Sequence, residues 1–227
     1  MTAAPAALPE QFDRICHSIP AAVTLVAVTK FLPPETVRAA YDRGLRHFGE
    51  SRVQEAMAKQ EALSDLPDIT WHLIGHLQTN KARKAVEHFH WIHSVDSLKL
   101  AQRLDQAAAE LGRVPQCCLQ VKLVPDPPKA GIEASDLGAL LPEFDQLSHL
   151  KLRGLMTIPP QGASEATVRQ VFGGARALAD TINQAGYQRL HIDQLSMGMS
   201  GDYEAAIAAG ATMVRLGTVL FGPRPSV

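Results

Sequence analysis

The feature that most constrains the fold of this chain is a regular alternation of short apolar runs with amphipathic stretches. The first run, residues 22–30, reads AVTLVAVTK, and the last, residues 212–217, reads TMVRLG. Each of eight such runs predicts a strand, and a further helical stretch near residues 8–17 precedes the first. Buried strands that alternate with helices are typical of a parallel sheet with right-handed crossovers.

The count of strands decides between two architectures. The predicted strands cover residues 22–30, 46–50, 70–75, 91–95, 116–124, 151–158, 192–197 and 212–217. The predicted helices between them cover residues 35–44, 51–63, 79–87, 96–111, 135–146, 165–185 and 201–209. Eight strands favour a closed (β/α)8 TIM barrel with an extra N-terminal helix, as one domain over residues 1–227. An open doubly wound sheet would need a Gly-rich turn after an early strand, and residues 30–33 read KFLP.

Composition and charge exclude several classes of partner. The chain has 22 Lys and Arg against 23 Asp and Glu, which argues against a nucleic-acid surface and for a small-molecule partner. No apolar run reaches the roughly 20 residues that cross a bilayer. Residues 1–10 lack the basic and apolar regions of a secretory signal. We therefore predict a cytoplasmic protein whose three cysteines are reduced and structural.

Lys30 ends the first apolar run, and the barrel gives it a location. Residues at the carboxyl ends of barrel strands face the mouth, where active sites lie. Partial burial there would lower the pKa of the Lys30 amine, and the neutral amine attacks a carbonyl to form a Schiff base. The alternative is a strand-end lysine whose ammonium group reaches into solvent.

The turns after the seventh and eighth strands have the composition of a phosphate site. Barrels frequently bind phosphate at these two turns through backbone amides, hydroxyls and a short helix N-terminus. The residues that allow close backbone approach or donate hydroxyl hydrogen bonds are Ser196, Gly198, Ser200, Gly217 and Thr218. Together with a lysine after the first strand, the two turns favour a phosphorylated aldehyde as the ligand.

Several ordered motifs extend this interpretation over nearly the whole chain. They read LVAVTK, HFGESRVQEA, WHLIGHLQTNK, HSVDS, KAGI, RGLMTIP and LSMGMSGDYEAAIAAGATMVRLGTVLFG. In these motifs the chain resembles the pyridoxal phosphate homeostasis protein family, whose barrel is similar to the N-terminal domain of alanine racemase. The family usually has Asn where this chain has Ser51, so the resemblance does not carry over an amide side-chain hydrogen bond from that position to the cofactor.

The resemblance implies a cofactor and its contacts. It implies that Lys30 holds pyridoxal 5′-phosphate (PLP) covalently as an internal aldimine, and that Arg215 meets the pyridine nitrogen. It also implies that the phosphate is surrounded by Ser196, Gly198, Ser200, Gly217 and Thr218. Arginine only donates hydrogen bonds, so at that nitrogen it favours the unprotonated ring and weakens the electron sink that carbanion chemistry needs.

The function that the resemblance implies is intracellular PLP homeostasis without turnover. Buffering and delivery of PLP through a reversible Schiff base would affect the balance of amino acids and keto acids. Racemases similar to this barrel use a second base, a tyrosine from a separate β domain, whereas this sequence continues for about nine residues after Thr218. We therefore expect a monomer whose open mouth meets amino acids or PLP-dependent apoenzymes.

Two other functions fit the same residues. One is a minimal PLP enzyme of the same class, an amino-acid racemase or decarboxylase. The other is a Schiff-base aldolase that needs no cofactor, which would be colourless and would not take up added PLP.

The remaining polar clusters predict structural roles. His88, His90 and His93 lack a complete ligand set, and strand alternation separates His93 from the other two, so no metal site is expected. His72 and His76 are interpreted as structural. The basic cluster at residues 81–84 is interpreted as a solvated face. Glu50 and Asp96 are candidate rim carboxylates without a catalytic role, with Asp96 predicted as a helix cap, and the loop at residues 125–129 is a candidate lid.

Overall fold

The computed structural model describes residues 8–223, and in this part of the chain eight parallel strands close into a barrel. The prediction that residues 1–10 lack a secretory signal falls mostly on residues 1–7, which lie outside the described residues. In chain order the strands are β1 (Thr24–Val28), β2 (His47–Glu50), β3 (Thr70–Leu73), β4 (Trp91–Val95), β5 (Gln116–Lys122), β6 (Ile132–Glu133), β7 (Lys151–Met156), β8 (Gln194–Ser196) and β9 (Met213–Leu216). All except β6 form the barrel, and the pairing of β4 with β5 closes the ring.

Helices cover the outside of the barrel. They are α1 (Gln11–Ser18), α2 (Pro34–Asp42), α3 (Val53–Ala62), α4 (Ala82–His88), α5 (Leu98–Leu111), α6 (Ala134–Phe144), α7 (Glu165–Gln184), α8 (Tyr203–Ala208) and α9 (Thr218–Phe221). A single 3-10 turn, Thr79–Lys81, leads into α4. Each barrel strand is thus followed by a helix, which confirms the predicted (β/α)8 barrel.

Two short elements were not predicted from the sequence. β6 pairs with the end of β5, Ile132 lying opposite Val121, after Gly131 turns the loop back with a φ of 138°. α9 has four residues, which is too short for a helical period to be visible. The predicted cap of α5 was wrong by one residue, because Ser97 Oγ accepts the Leu100 amide.

Asp96, the residue predicted as that cap, instead pairs with exposed His76, with 2.9 Å between the Asp96 Oδ2 and His76 Nδ1 atoms. Its carboxylate lies at the carboxyl end of β4, so the predicted position at the rim holds while the capping role does not.

The apolar core has two parts. The larger part lies between the strands and the helices and includes Phe48, Leu73 and Phe172. The smaller part lies inside the barrel and consists of Trp91, Cys118, Met156 and Met213. The rest of the interior includes buried polar side chains, so the barrel axis carries hydrogen-bonding groups toward the mouth.

The adjacent cysteines confirm that neighbouring side chains of β5 face opposite ways. Cys117 packs in the larger core and Cys118 in the smaller one. Burial raises the pKa of the Cys118 thiol to about 12, so the thiol stays protonated. Across residues 8–223, no helix has the length and apolar character needed to span a bilayer.

Candidate functional site

Lys30 lies two residues after β1, at the carboxyl end of the barrel. It is half-buried and lines a cleft with Gly217 and Thr218, which follow β9 at the far end of the sequence. The cleft is also lined by Leu32 and Phe221. The structure therefore brings the lysine of the first strand and the turn after the last strand to the same opening.

A buried ion pair supports the backbone just before Lys30. Lys59 Nζ lies 2.6 Å from Glu50 Oε1 and 2.6 Å from the Thr29 carbonyl oxygen, and it donates to both. Thr29 Oγ1 also donates to Glu50 Oε1, at 2.7 Å. Glu50 is fully buried, so the prediction that it is a rim carboxylate was wrong. Burial is the main cause that raises the Glu50 pKa, and the Lys59 charge opposes it.

Lys59 was missed from the sequence, although a signal was present. The buried residues of α3 are Val53, Ala56 and Lys59, a spacing of three that places the lysine on the apolar face of the helix. A charged residue on such a face must find a partner, because an unpaired buried charge is costly. The partner, Glu50, comes from the preceding strand.

The residue after Lys30 has an unusual backbone conformation. Phe31 has a φ of 66°, in the left-handed region that bulky residues rarely adopt. The residue is 46% exposed, and the Arg52 guanidinium lies 5.6 Å from the centre of its ring. Such strain costs roughly 1–3 kcal/mol and collects at functional sites. The turn at Phe31 thus sets the direction in which the chain leaves the mouth.

The turn after β8, residues 197–202, and the turn after β9, residues 217–219, are joined by hydrogen bonds, and we call them the first and second late turns. Ser200 Oγ accepts the amides of Gly217 and Val219, at 3.4 and 3.3 Å. Thr218 begins α9 beside them. These bonds bring the Ser200 hydroxyl next to Gly217 and Thr218, which line the cleft with Lys30. Hydroxyl groups such as those of Ser200 and Thr218 can donate to an anion.

Gly198 makes the close approach of the first late turn possible. Its φ is 93°, and a Cβ at this position would lie 2.6 Å from the Ala206 Cβ and 3.0 Å from the Tyr203 Cα.

We expect Gly198→Ala to lower the free energy of unfolding by about 1–3 kcal/mol, because of the backbone strain and the overlap with Ala206. Urea unfolding checks this prediction. Gly201→Ala is the matched control, since a Cβ there meets nothing within 4 Å. Equal losses of unfolding free energy in the two variants would contradict the conclusion that Gly198 is needed for the close approach of the turn.

Arg215 lies inside the barrel below the mouth. Its Nη1 donates to Ser196 Oγ at 2.6 Å and its Nη2 to the Thr157 carbonyl oxygen at 3.2 Å. Burial lowers the pKa of Arg215 to about 10, so the guanidinium remains charged at neutral pH. The Ser196 hydroxyl is engaged by Arg215 and by His93 Nδ1, at 2.7 Å, and does not join the hydrogen bonds between the two late turns.

His88, His90 and His93, which lie close together in the sequence, have different surroundings in the structure. His88 bonds to the Gln60 side chain, and His90 Nδ1 accepts the Trp71 amide. His93 alone of the three lies fully buried inside the barrel. Within residues 8–223, no group of three or more His, Cys, Asp and Glu side chains is arranged to hold a metal ion.

The loop and surface residues that the sequence singled out are engaged in local contacts. Lys129 Nζ lies 2.6 Å from the Pro159 carbonyl oxygen and 3.1 Å from Asp126 Oδ2, which ties the loop after β5 to the end of β7. Arg83 and Lys84 both pair with Glu87 on the exposed side of α4. The basic cluster is therefore a paired surface face.

The buried histidine beside Ser196 predicts a pH dependence of stability. Burial lowers the pKa of His93 to about 3 from an ordinary 6.5. Between these two pH values the unfolded chain therefore binds more protons than the folded chain. Stability therefore falls as the pH falls below about 6.5, by about 1.4 kcal/mol per pH unit for one such histidine. We expect His93→Gln to reduce the slope of unfolding free energy against pH by that amount.

Urea unfolding between about pH 4.5 and 7 measures this slope. An unchanged slope in His93→Gln would contradict the prediction.

The comparisons with known proteins agree over nearly the whole chain. Residues 5–225 match the family described as alanine racemase, N-terminal domain. The pyridoxal phosphate homeostasis protein of Synechocystis sp. is 51% identical over 216 residues, which cover 95% of this chain and 98% of that protein.

Solved structures show the same barrel. PipY of Synechococcus elongatus, solved with PLP bound, is 54% identical with a TM-score of 0.89, over 94% of this chain and 99% of that one. An alanine racemase of Clostridium difficile is 17% identical with a TM-score of 0.75. The match covers 94% of this chain and 55% of the racemase, and it shows the fold alone.

Proposed function

Because this chain belongs to the pyridoxal phosphate homeostasis protein family, we propose that it binds PLP at the barrel mouth, buffers it and delivers it. The observation that carries the proposal is the cleft that Lys30 shares with Gly217 and Thr218. It places an amine beside the turn that suits a phosphate group. We also propose that residues 1–227 form one domain and that the protein acts in the cytoplasm.

The donor set fits this cofactor. When bound, PLP supplies an aldehyde that reacts reversibly with primary amines. In the proposal Lys30 holds it covalently. The phosphate is held by Gly198, Ser200, Gly217 and Thr218.

Arg215 faces the ring nitrogen in the proposal, and Ser196 has a different role from the one that the resemblance implied. Because its hydroxyl already bonds to Arg215 and His93, we assign Ser196 to holding the guanidinium rather than the phosphate. The Arg215 guanidinium can only donate, so it leaves the ring nitrogen without a proton. This favours retention of the cofactor over carbanion chemistry.

The tyrosines also favour a carrier over a racemase. Racemization needs a second base besides the lysine, but the Tyr41 hydroxyl bonds to the Asp68 carboxylate and the Tyr203 hydroxyl to the Glu204 carboxylate. Tyr187 packs beside the larger core, just after α7. In the proposal the protein is a monomer that meets amino acids or PLP-dependent apoenzymes at its mouth.

Two measurements on the full chain test the proposal. Titration with PLP followed by absorbance should show binding of one equivalent, and an apoenzyme added afterwards should recover activity. Long incubation of the PLP-loaded protein with single L-amino acids, followed by chiral and amine analysis, should show no turnover. Protein-dependent racemization or decarboxylation would favour the alternative, a minimal PLP enzyme, and failure to take up PLP would contradict both.

A further inference from the structure

Three histidines form a continuous line of hydrogen bonds inside the barrel. His47 Nδ1 lies 3.0 Å from His72 Nε2, and His72 Nδ1 lies 2.8 Å from His93 Nε2. The three residues come from β2, β3 and β4. His72 and His93 are fully buried, while His47, at the end of the barrel opposite the mouth, is half-buried.

The line continues to the charged group below the mouth. His93 Nδ1 lies 2.7 Å from Ser196 Oγ, and Arg215 Nη1 lies 2.6 Å from the same oxygen. A chain of five side chains thus runs from the end opposite the mouth to Arg215. We call it the histidine relay: His47, His72, His93, Ser196 and Arg215.

The chemistry of the groups gives the relay one direction. Among the hydrogen bonds of the described residues, Ser196 Oγ has two partners, Arg215 Nη1 and His93 Nδ1. A guanidinium can only donate, so His93 Nδ1 is the partner that can accept the Ser196 hydroxyl proton, and the relay is fully satisfied when it does so. His93 then carries its proton on Nε2 and donates to His72 Nδ1. By the same step His72 carries its proton on Nε2 and donates to His47 Nδ1. Every contact in the relay is then satisfied with all three histidines neutral.

Burial keeps the two inner histidines neutral. It is the largest cause that lowers the pKa of His72 well below 6.5, and the pKa of His93 is about 3. A protonated His93 would have a proton on Nδ1 and would force the Ser196 hydroxyl to turn away from it. The neutral relay therefore keeps the Ser196 hydroxyl proton directed at His93 and leaves the lone pairs of its oxygen to Arg215 without a competing cationic donor.

We propose that His93, His72 and His47 are positioning residues for Arg215, which keep the Ser196 oxygen directed at its guanidinium. Residues of β2, β3 and β4 thereby help to hold the Arg215 guanidinium, which belongs to β9. The direction of the hydrogen bonds in the relay and the positioning of the Arg215 guanidinium do not depend on the proposed function. Any effect of the relay on the binding of PLP rests on the proposed function.

The relay is tested first on the full chain without added PLP. Histidine nitrogen NMR at neutral pH should show His47, His72 and His93 neutral, with the proton on Nε2 and none on Nδ1. In Ser196→Ala, which removes the donor to His93, the His93 tautomer should become mixed. A proton on Nδ1 of His93 in the parent would overturn the relay.

The positioning role is tested on the guanidinium itself. In the parent, the Nη protons of Arg215 should give separate, exchange-protected NMR signals, because both Nη groups are held. His93→Leu should lose these signals, and His93→Gln, which retains a donor and an acceptor, should partly restore them. The matched control is His90→Leu. The His90 side chain accepts the Trp71 amide at the end opposite the mouth and is not a member of the relay. Signals that survive in His93→Leu as in the control would overturn the proposal.

The consequence for PLP is measured separately. We expect His93→Leu to release PLP on the order of tenfold faster than the parent and to shift the absorbance maximum of the bound form. His90→Leu should change neither. A parent that does not bind PLP would contradict the proposed function while leaving the NMR result as the test of the relay. Binding with unchanged release and absorbance would show that the relay does not act on the cofactor.

Discussion

Replacing Lys30 with alanine is expected to abolish covalent retention of PLP. The aldehyde then lacks the amine that lines the cleft beside Gly217 and Thr218. Hydrogen bonds from the late turns and Arg215 remain, each worth roughly 1–3 kcal/mol when one partner is charged. We therefore expect weak binding that is lost on denaturation.

Borohydride reduction and mass analysis measure this effect. The parent, reduced and denatured, should carry one adduct, which peptide mapping places on Lys30, and Lys30→Ala should carry none. Lys129→Ala is the matched control, because Lys129 lies in the loop after β5 and bonds to the Pro159 carbonyl oxygen. An adduct on another lysine of the parent, or one that persists in Lys30→Ala, would refute the assignment of the site.

Replacing Lys59 with methionine is expected to give the largest loss of stability, about 3–5 kcal/mol. Methionine fills the space of the aliphatic stem but leaves Glu50 as a buried carboxylate without its cation. The Glu50 Oε2 atom already has no hydrogen-bond partner within residues 8–223, so no second group is in place to compensate. The Thr29 carbonyl oxygen, one residue before Lys30, loses its donor as well.

Urea unfolding of Lys59→Met and two companion variants checks this prediction. The double variant Lys59→Met/Glu50→Gln should recover most of the loss, since it removes the unpaired charge. Lys84→Met, which breaks an exposed pair with Glu87, should cost below about 1 kcal/mol. If Lys59→Met were as mild as Lys84→Met, the buried pair would not support the turn at Lys30.

The sequence by itself determined the barrel and the end of the barrel where the site lies. Strand and helix periods are local properties, so eight repeats of them specify parallel strands with a common carboxyl end. That order alone predicts that Lys30 and the turns after the seventh and eighth strands share one mouth. In the structure Lys30 shares a cleft with Gly217 and Thr218, and Ser200 bonds to the Gly217 amide.

Only the tertiary structure decided which buried polar groups meet. The Glu50–Lys59 pair and the contact of His93 with Ser196 join residues 9 and 103 positions apart, and no local period encodes which side chains face each other across a barrel. The same holds for the left-handed backbone at Phe31, a conformation that bulky residues rarely adopt and that the residue type therefore does not predict. Periodicity tells which face of an element is buried, whereas hydrogen-bond partners depend on strand register and barrel closure, which are properties of the whole fold.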